Sequence, residues 1–401
     1  MEDSSNDYVT RVLDSPDAVD TASWNSLLES QAHGTPFMRQ EYLSALHHSA
    51  SAFPDTGWTP RFIVLQHRAE IVAACPLYVK SHSFGEYVFD WAWARAYQEH
   101  GLRYYPKAVI AVPFTPVPGS RLLAKSAGAR RALIRAAINW CQAEHLSSLH
   151  VLFADDADVA ACLEAGMMPR HAVQFHWANR TPGYRSFDEF LSTLTQVKRK
   201  KTRQERRKVN EAGVTFRWSR AGDITSSDWD FFYRCYERTY EEHGNPPYLN
   251  REFFARSAST LAEHWLLFVA ERNGQPIAAS LIAIGAQAQD ISGTSTMQQV
   301  AYGRYWGCLE RLDCLHFEAC YYQPLEWCIE HGFDRFEGGA QGEHKLARAL
   351  LPVANTSMHW LAHPAFSAAV DRFLDTDRDG VANYLDHLLA RSPFKQNPDV
   401  A

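Results

Sequence analysis

Two stretches of this chain, 205 residues apart, carry the same pattern. "RFIVLQ" (61–66), a short polar turn and "IVAACPLYV" (71–79) read as a β-hairpin. "LLFVAERNGQPIAASLIAI" (266–284) reads the same way, with Asn273-Gly274 as a strong hairpin-turn signal. A shift of 205 lays Phe62–Val79 on Leu267–Ile284, superimposes the turns and sets Ala73-Ala74 on Ala278-Ala279.

The elements after each hairpin repeat too. In the first half "AVIAVPF" (108–114) reads as a strand, "ARRALIRAAINWCQAEH" (129–145) as an amphipathic helix and "SLHVLFA" (148–154) as a buried strand. In the second half "VAYGRYWG" (300–307) reads as a strand, "HFEACYYQPLEWCIEHG" (316–332) as a helix and "FDRFEGG" (333–339) as a strand. Pro324 lies inside that helix pattern and predicts a kink or a late start. The pattern predicts a mixed α/β (α+β) unit present twice, with mixed sheets flanked by helices.

The boundary is expected near "NRTPGYRS" (179–186), giving domains 1–182 and 183–401. Ser186 and Glu189 form a capping box, and Phe187, Phe190, Leu191 and Leu194 follow at helical spacing, so a helix is expected over 186–212. A C-terminal helix over 365–391 is expected to pack back on the first domain.

The 186–212 helix carries the most unusual charge. From Lys198 to Lys208, eight of eleven residues are Lys or Arg and one is Glu, while the rest of the chain holds 32 basic and 45 acidic residues. One reading is a solvated helix screened by acidic neighbours. The other is a grip on a polyanion (RNA, a nucleotide donor or a pyrophosphate-bearing lipid) by Lys198, Arg199, Lys200, Arg203 and Arg207. A net charge of −6 argues against the whole chain being a basic nucleic-acid binder.

The N-terminus lacks a signal-peptide pattern, and no apolar run approaches the ~18 residues of a membrane span. Eight scattered cysteines, none in a C-x-x-C pair, suit reduced thiols and a cytoplasmic protein. Several tempting motifs fail on spacing. "GGAQGEHK" has three residues between Gly338 and Gly342 where a P-loop has four. "HFEAC" lacks the P-C-x-x-C of zinc deaminases. "LDTDRDGVANYLD" (374–386) has calcium-loop spacing, but a helical apolar stripe crosses it. No metal site is expected.

Three second-half segments are polar where burial is expected. They carry Arg304 and Tyr305; His316, Glu318, Tyr321 and Tyr322; and Glu337, Gln341, Glu343, His344 and Lys345. Strand ends and helix starts are where α/β sites gather. A carboxylate beside an imidazole and an amine suits proton transfer from an attacking amine, and Arg304 suits bidentate binding of a carboxylate or phosphate. A buried polar network that only fixes the fold is the alternative. In the first half Tyr104, Tyr105 and Lys107 precede a proline-rich strand end, and read either as a substrate wall or as a packed loop.

"YYPKAVIAVPFTPVPGSRLL" (104–123), "KRKKTRQERRKV" (198–209), "GRYWG" (303–307), "LHFEACYYQ" (315–323), "GAQGEHK" (339–345) and "SPFK" (392–395) together make the chain similar to a known family. It resembles the peptidoglycan-biosynthesis-related, FemAB-like family of the GNAT (N-acetyltransferase) superfamily over residues 35–395. The resemblance implies a tandem duplication of GNAT-like folds and transfer of an acyl or aminoacyl group to an amine. In FemAB-like enzymes the donor is an aminoacyl-tRNA and the acceptor a peptidoglycan precursor; in ordinary GNAT enzymes the donor is acyl-CoA. "KSAGAR" (125–130) departs from the glycine-rich pyrophosphate loop of the latter, and "CLERLDC" (308–314) has no glycine at all.

The expected function is therefore an acyltransferase with no tightly bound cofactor and either acyl-CoA or aminoacyl-tRNA as donor. Its expected catalytic residues are Glu343, His344, Lys345, Arg304 and Glu318. Tyr104, Tyr105, Lys107, Tyr305, His316, Tyr321, Tyr322, Glu337 and Gln341 are expected to line the substrate. The alternative is a non-catalytic pair of GNAT-like domains that recognises a cell-wall fragment or RNA.

Overall fold

The computed structural model describes residues 8–291, 294–340 and 342–395. Its two hairpins share more than outline. Trp58–His67 pairs antiparallel with Glu70–Lys80, and Trp265–Arg272 with Gln275–Ile291. His67 faces Glu70, Gln66 faces Ile71, then the register skips Val72 and Leu65 faces Ala73. Arg272 faces Gln275, Glu271 faces Pro276, then the register skips Ile277 and Ala270 faces Ala278. The same irregularity thus recurs 205 residues on. Both turns place two residues at positive φ: Arg68 (49°) and Ala69 (67°), then Asn273 (53°) and Gly274 (73°). That geometry matches the right-handed twist of the flanking strands, and Asn-Gly is its preferred pair.

The chain divides into two compact units. The first comprises residues 1–172 and 355–382, the second 173–354 and 383–401. In the first, Lys107–Ile110 continues the hairpin sheet, and the helix Ala127–Ala143 crosses to Ser148–Ala154, which lies parallel to it. The end of the strand Leu351–Leu361 then pairs antiparallel with Ser148–Ala154, setting His359 opposite His150. In the second, Thr294–Cys308 continues the sheet and a helical segment leads to Arg335–Glu337, again parallel. The end of the strand Met168–Ala178 closes it antiparallel, with Trp177 opposite Phe336. Each unit is thus a mixed α/β layer of the same connectivity, with its final strand supplied from elsewhere in the chain.

Burial follows from the sequence pattern. Ile63, Cys75, Ile110, Leu133 and Val151 anchor the first core, and Phe268, Ile282, Leu325, Cys328 and Phe336 the second. The eight cysteines form no disulfide. No described helix is long and apolar enough to cross a membrane.

Three elements differ from a regular reading. The continuous 186–212 helix is corrected to two helices, Phe187–Thr193 and Gln196–Glu211. Between them the backbone turns outward to pair with the C-terminal segment: Thr195 N–H donates to Pro393 O and Lys395 N–H to Thr193 O, both 2.9 Å. The Pro324 irregularity takes the form of a π-helical turn, Glu318–Tyr322, directly before Gln323–Glu330. Proline cannot donate to a preceding carbonyl, and a widened turn absorbs the missing bond. Pro364–Ala390 is one helix running through Gly380, so the acidic run 375–386 lies on a helix.

Candidate functional site

The glycine-rich segment after Arg335–Glu337 leads into a 3-10 turn, Glu343–Arg348. Gly342 has φ of 121°, and a Cβ there would lie 2.4 Å from His344 Cε1 and 2.7 Å from its Nδ1. Only glycine combines that backbone with that ring position. The turn separates the three residues behind it. His344 is exposed, and its Nε2 lies 3.0 Å from Tyr321 Oη. Lys345 is buried and donates to Gly339 O at 2.9 Å. Glu343 is exposed and accepts from Tyr384 Oη (2.9 Å) and Arg391 (3.2 Å), which hold its carboxyl below the usual range.

The π turn brings the other partners. His316 packs its ring 5.4 Å from Trp306, 5.7 Å from Tyr321 and 6.2 Å from His344. Burial, then the nearby charges of His344, Arg348 and Lys345, push His316 down to about 4. Burial and the Arg348 and Lys345 charges lower His344 as well. Lys345 is itself pushed down to about 8 by burial, and among the described residues it has no carboxylate within ion-pair distance. The result is a cluster of two imidazoles, both lowered by burial and by the neighbouring Arg348 and Lys345 charges, one of them hydrogen-bonded to a tyrosine. Burial raises Tyr321, so it stays protonated.

Other expected residues serve elsewhere. Glu318 is buried, accepts from Arg206 (3.1 Å) and Gln323 (2.8 Å), and does not face His344 through any hydrogen bond. Burial still raises its carboxyl, against the pull of Arg206. Tyr322 donates to Glu205, which also receives Arg348 at 2.9 and 3.0 Å. Glu337 is buried beside Arg335 (3.1 Å), with His176 at 3.9 Å. The Arg304 guanidinium lies 5.0 Å from the Tyr305 ring, and Tyr305 packs on Tyr236 and Phe254. Gln341 lies outside the described residues. Arg348 and Glu205 were missed by the sequence reading. Glu205 had a usable signal: it is the one acid of the basic run, three and four residues from Thr202 and Val209, and those three are the helix's buried positions.

The basic helix is largely neutralised from within. Arg206 reaches Glu318 and Glu326, Lys201 reaches Glu205, Arg203 Asp188, Arg207 Glu211 and Lys208 Asp313. Lys198, Arg199 and Lys200, in its first two turns, have no such carboxylate among the described residues.

In the first unit Tyr104 and Lys107 are buried and Tyr105 is half-buried. Lys107 Nζ binds Glu86 (2.8 Å), Ser83 (2.8 Å) and Asp90. The helix start at "KSAGAR" is closed by its own side chains: Ser126 Oγ accepts from Ala129 N–H, and Arg130 pairs with Asp158 at 3.1 Å.

A model of the FemAB-like family, described as peptidoglycan biosynthesis/recognition, matches residues 15–396. No curated protein matches the chain in sequence. Among solved structures, FemX is 10% identical with a TM-score of 0.53, covering 90% of this chain and 100% of FemX. The C-terminal domain of a putative lysylphosphatidylglycerol synthetase from Agrobacterium fabrum is 9% identical, TM-score 0.52, covering 90% of this chain and 96% of its own. L-PGS from Bacillus licheniformis is 10% identical, TM-score 0.51, covering 88% and 97%. At such identities the likeness is one of fold.

Proposed function

The chain belongs to the FemAB-like family, and from that premise we propose that it transfers an acyl or aminoacyl group to an amine acceptor, using His344, Tyr321 and Lys345. The observation that supports this most directly is the 3.0 Å contact between Tyr321 Oη and His344 Nε2. With Nε2–H donating to the tyrosine oxygen, Nδ1 is left as the proton acceptor, on the side that Gly342 keeps open.

The acceptor nitrogen attacks the donor carbonyl carbon. The C–N bond forms, the carbonyl electrons move to oxygen, and the resulting oxyanion faces the Lys345 ammonium. The amine proton passes to His344 Nδ1. Collapse expels the donor's leaving oxygen or sulfur, which takes that proton. Glu343 holds the turn to Tyr384 and Arg391, and Arg304 binds a carboxylate or phosphate of a substrate. The donor is an acyl-CoA or an aminoacyl-tRNA, and the acceptor a peptidoglycan precursor or a small amine. Lys198, Arg199 and Lys200 are the cations left to hold a tRNA donor.

Mass spectrometry of molecules that copurify with the protein identifies the donor to use. With it, His344→Gln is expected to lower transfer by about 10²–10⁴-fold, and Glu343→Gln by far less. Wild-type transfer by His344→Gln sinks the assignment. The rate is expected to fall on the alkaline side as Lys345 loses its proton near its value of about 8. In Lys345→Arg that limb moves to higher pH.

A further inference from the structure

In the first unit, the segment 81–90 is built inside out. Two of its aromatic side chains face solvent, Phe84 at 57% exposed and Phe89 at 53%, and Trp91 just beyond is 41% exposed, while Tyr87 packs inward with Val88. Its charged side chains, Glu86 and Asp90, are buried. Burial favours the reverse arrangement by a wide margin. Such local contradictions concentrate at functional sites.

Beneath the segment lie two lysines. Lys80 and Lys107 stand directly opposite each other on adjacent antiparallel strands, and both are fully buried. Like charges in that register repel. Lys80 Nζ lies 3.5 Å from the centre of the Trp58 ring and donates to Phe84 O at 3.2 Å. Lys107 holds Glu86, Asp90 and Ser83. Tyr104 Oη donates to Asp90 Oδ2 (2.5 Å) and lies 3.2 Å from His150 Nε2. His150 Nδ1 lies 2.7 Å from His359 Nδ1. Tyr105 Oη reaches Ser83 at 2.8 Å. The fit of the carboxylates is incomplete: Glu86 Oε1, Asp90 Oδ1 and His359 Nε2 are buried with no hydrogen-bond partner.

We propose that Lys80 and Lys107, with Tyr104 and Tyr105, form a binding site for a dianion, a phosphate monoester or a dicarboxylate, which Glu86 and Asp90 of the segment 81–90 occupy as internal counter-ions. The ligand displaces the segment by taking over its two carboxylate positions. Phe84 and Phe89 are already in water, so the apolar contacts that oppose release are those of Tyr87 and Val88 with Val109, Ala111, Leu152 and Phe153. Burial pushes Glu86 up and Lys80 down, both to about 7, whereas Lys107 holds Asp90 below the usual carboxylate range, so Glu86 is the more weakly held of the two counter-ions. Nothing in this inference depends on the second unit's chemistry.

The test is amide hydrogen exchange of residues 81–90 on the full chain, in inorganic phosphate, in succinate and in chloride at equal ionic strength. Several-fold faster exchange in phosphate or in succinate than in chloride is expected, and the stronger of the two names the ligand class. Glu86→Gln, which weakens the internal competitor, is expected to bring the response at about tenfold lower anion concentration. Lys107→Met is expected to remove it, with Lys80→Met as the second variant should the first not fold. Equal exchange in all three salts, in the wild type and in Glu86→Gln alike, overturns the proposal.

Discussion

The turn residues of the two hairpins show how single positions carry conformational cost. Ala69 sits at φ 67° where its counterpart, Gly274, sits at 73°. A left-handed conformation costs an ordinary L-residue about 1 kcal/mol and glycine nothing. Ala69→Gly is therefore expected to raise stability by about 1 kcal/mol, and Gly274→Ala, which meets no atom within 4 Å, to lower it by a similar amount in chemical denaturation. Buried ionisable residues add a pH signature. Burial raises Glu86 to about 7, with Asp90 adding to it and Lys107 and Lys80 opposing. Its folded value lies above its unfolded one, so its contribution is full below the ordinary carboxyl range and is lost as pH rises through about 7. Burial depresses Lys80 to about 7, helped by Lys107 and opposed by Glu86 and Asp90. Its contribution is full above the ordinary lysine range and is lost as pH falls toward 7. The two costs meet near neutrality. Melting temperature followed from pH 5 to 7 is expected to fall less in Glu86→Gln than in the wild type.

Among the elements, the basic helix changed most between sequence and structure. Its sequence reads either as a solvated helix screened by acidic neighbours or as a polyanion grip; the structure adds that Thr202, Glu205 and Val209 are buried. Glu205 binds Arg348 and Tyr322 inside the second unit. Removing one member of a buried ion pair leaves the other uncompensated, so Glu205→Ala is expected to cost about 3 kcal/mol. Lys208→Gln, at an exposed pair with Asp313, is expected to cost at most about 0.5 kcal/mol. Lys198, Arg199 and Lys200 are the cations of the run with no carboxylate partner among the described residues, and so the ones to test for a polyanion role. Replacing Lys198, Arg199 and Lys200 together with Gln is expected to reduce the slope of log affinity for RNA against log salt by about 2. An unchanged slope means that the helix's charge serves only the fold.

For the whole molecule, the decisive feature is where each unit obtains its last strand. The first unit takes Met358, His359 and Leu361 from residues 355–382, together with Val370 and Leu374, which pack on Trp93, Tyr97 and Tyr104. A fragment ending at residue 182 therefore lacks part of its own core, and is expected to show no cooperative unfolding transition in calorimetry.

Local pattern determined the elements. Alternation, turn dipeptides and the 205-residue shift specified both hairpins, the crossover helices and the parallel strands after them, because hydrogen bonding and burial within a hairpin or helix depend on residues near in sequence. His344 and Lys345 stand out in the sequence as polar residues at a strand end, and Tyr321 as one at a helix start. What sequence could not decide was which charges meet. Glu343 and His344 are adjacent, yet one binds Arg391 and the other Tyr321; Glu318 went to Arg206, and Lys107 to Glu86 and Asp90. Ion pairs and hydrogen bonds act over a few ångströms between residues tens of positions apart, so only the folded chain brings the partners together.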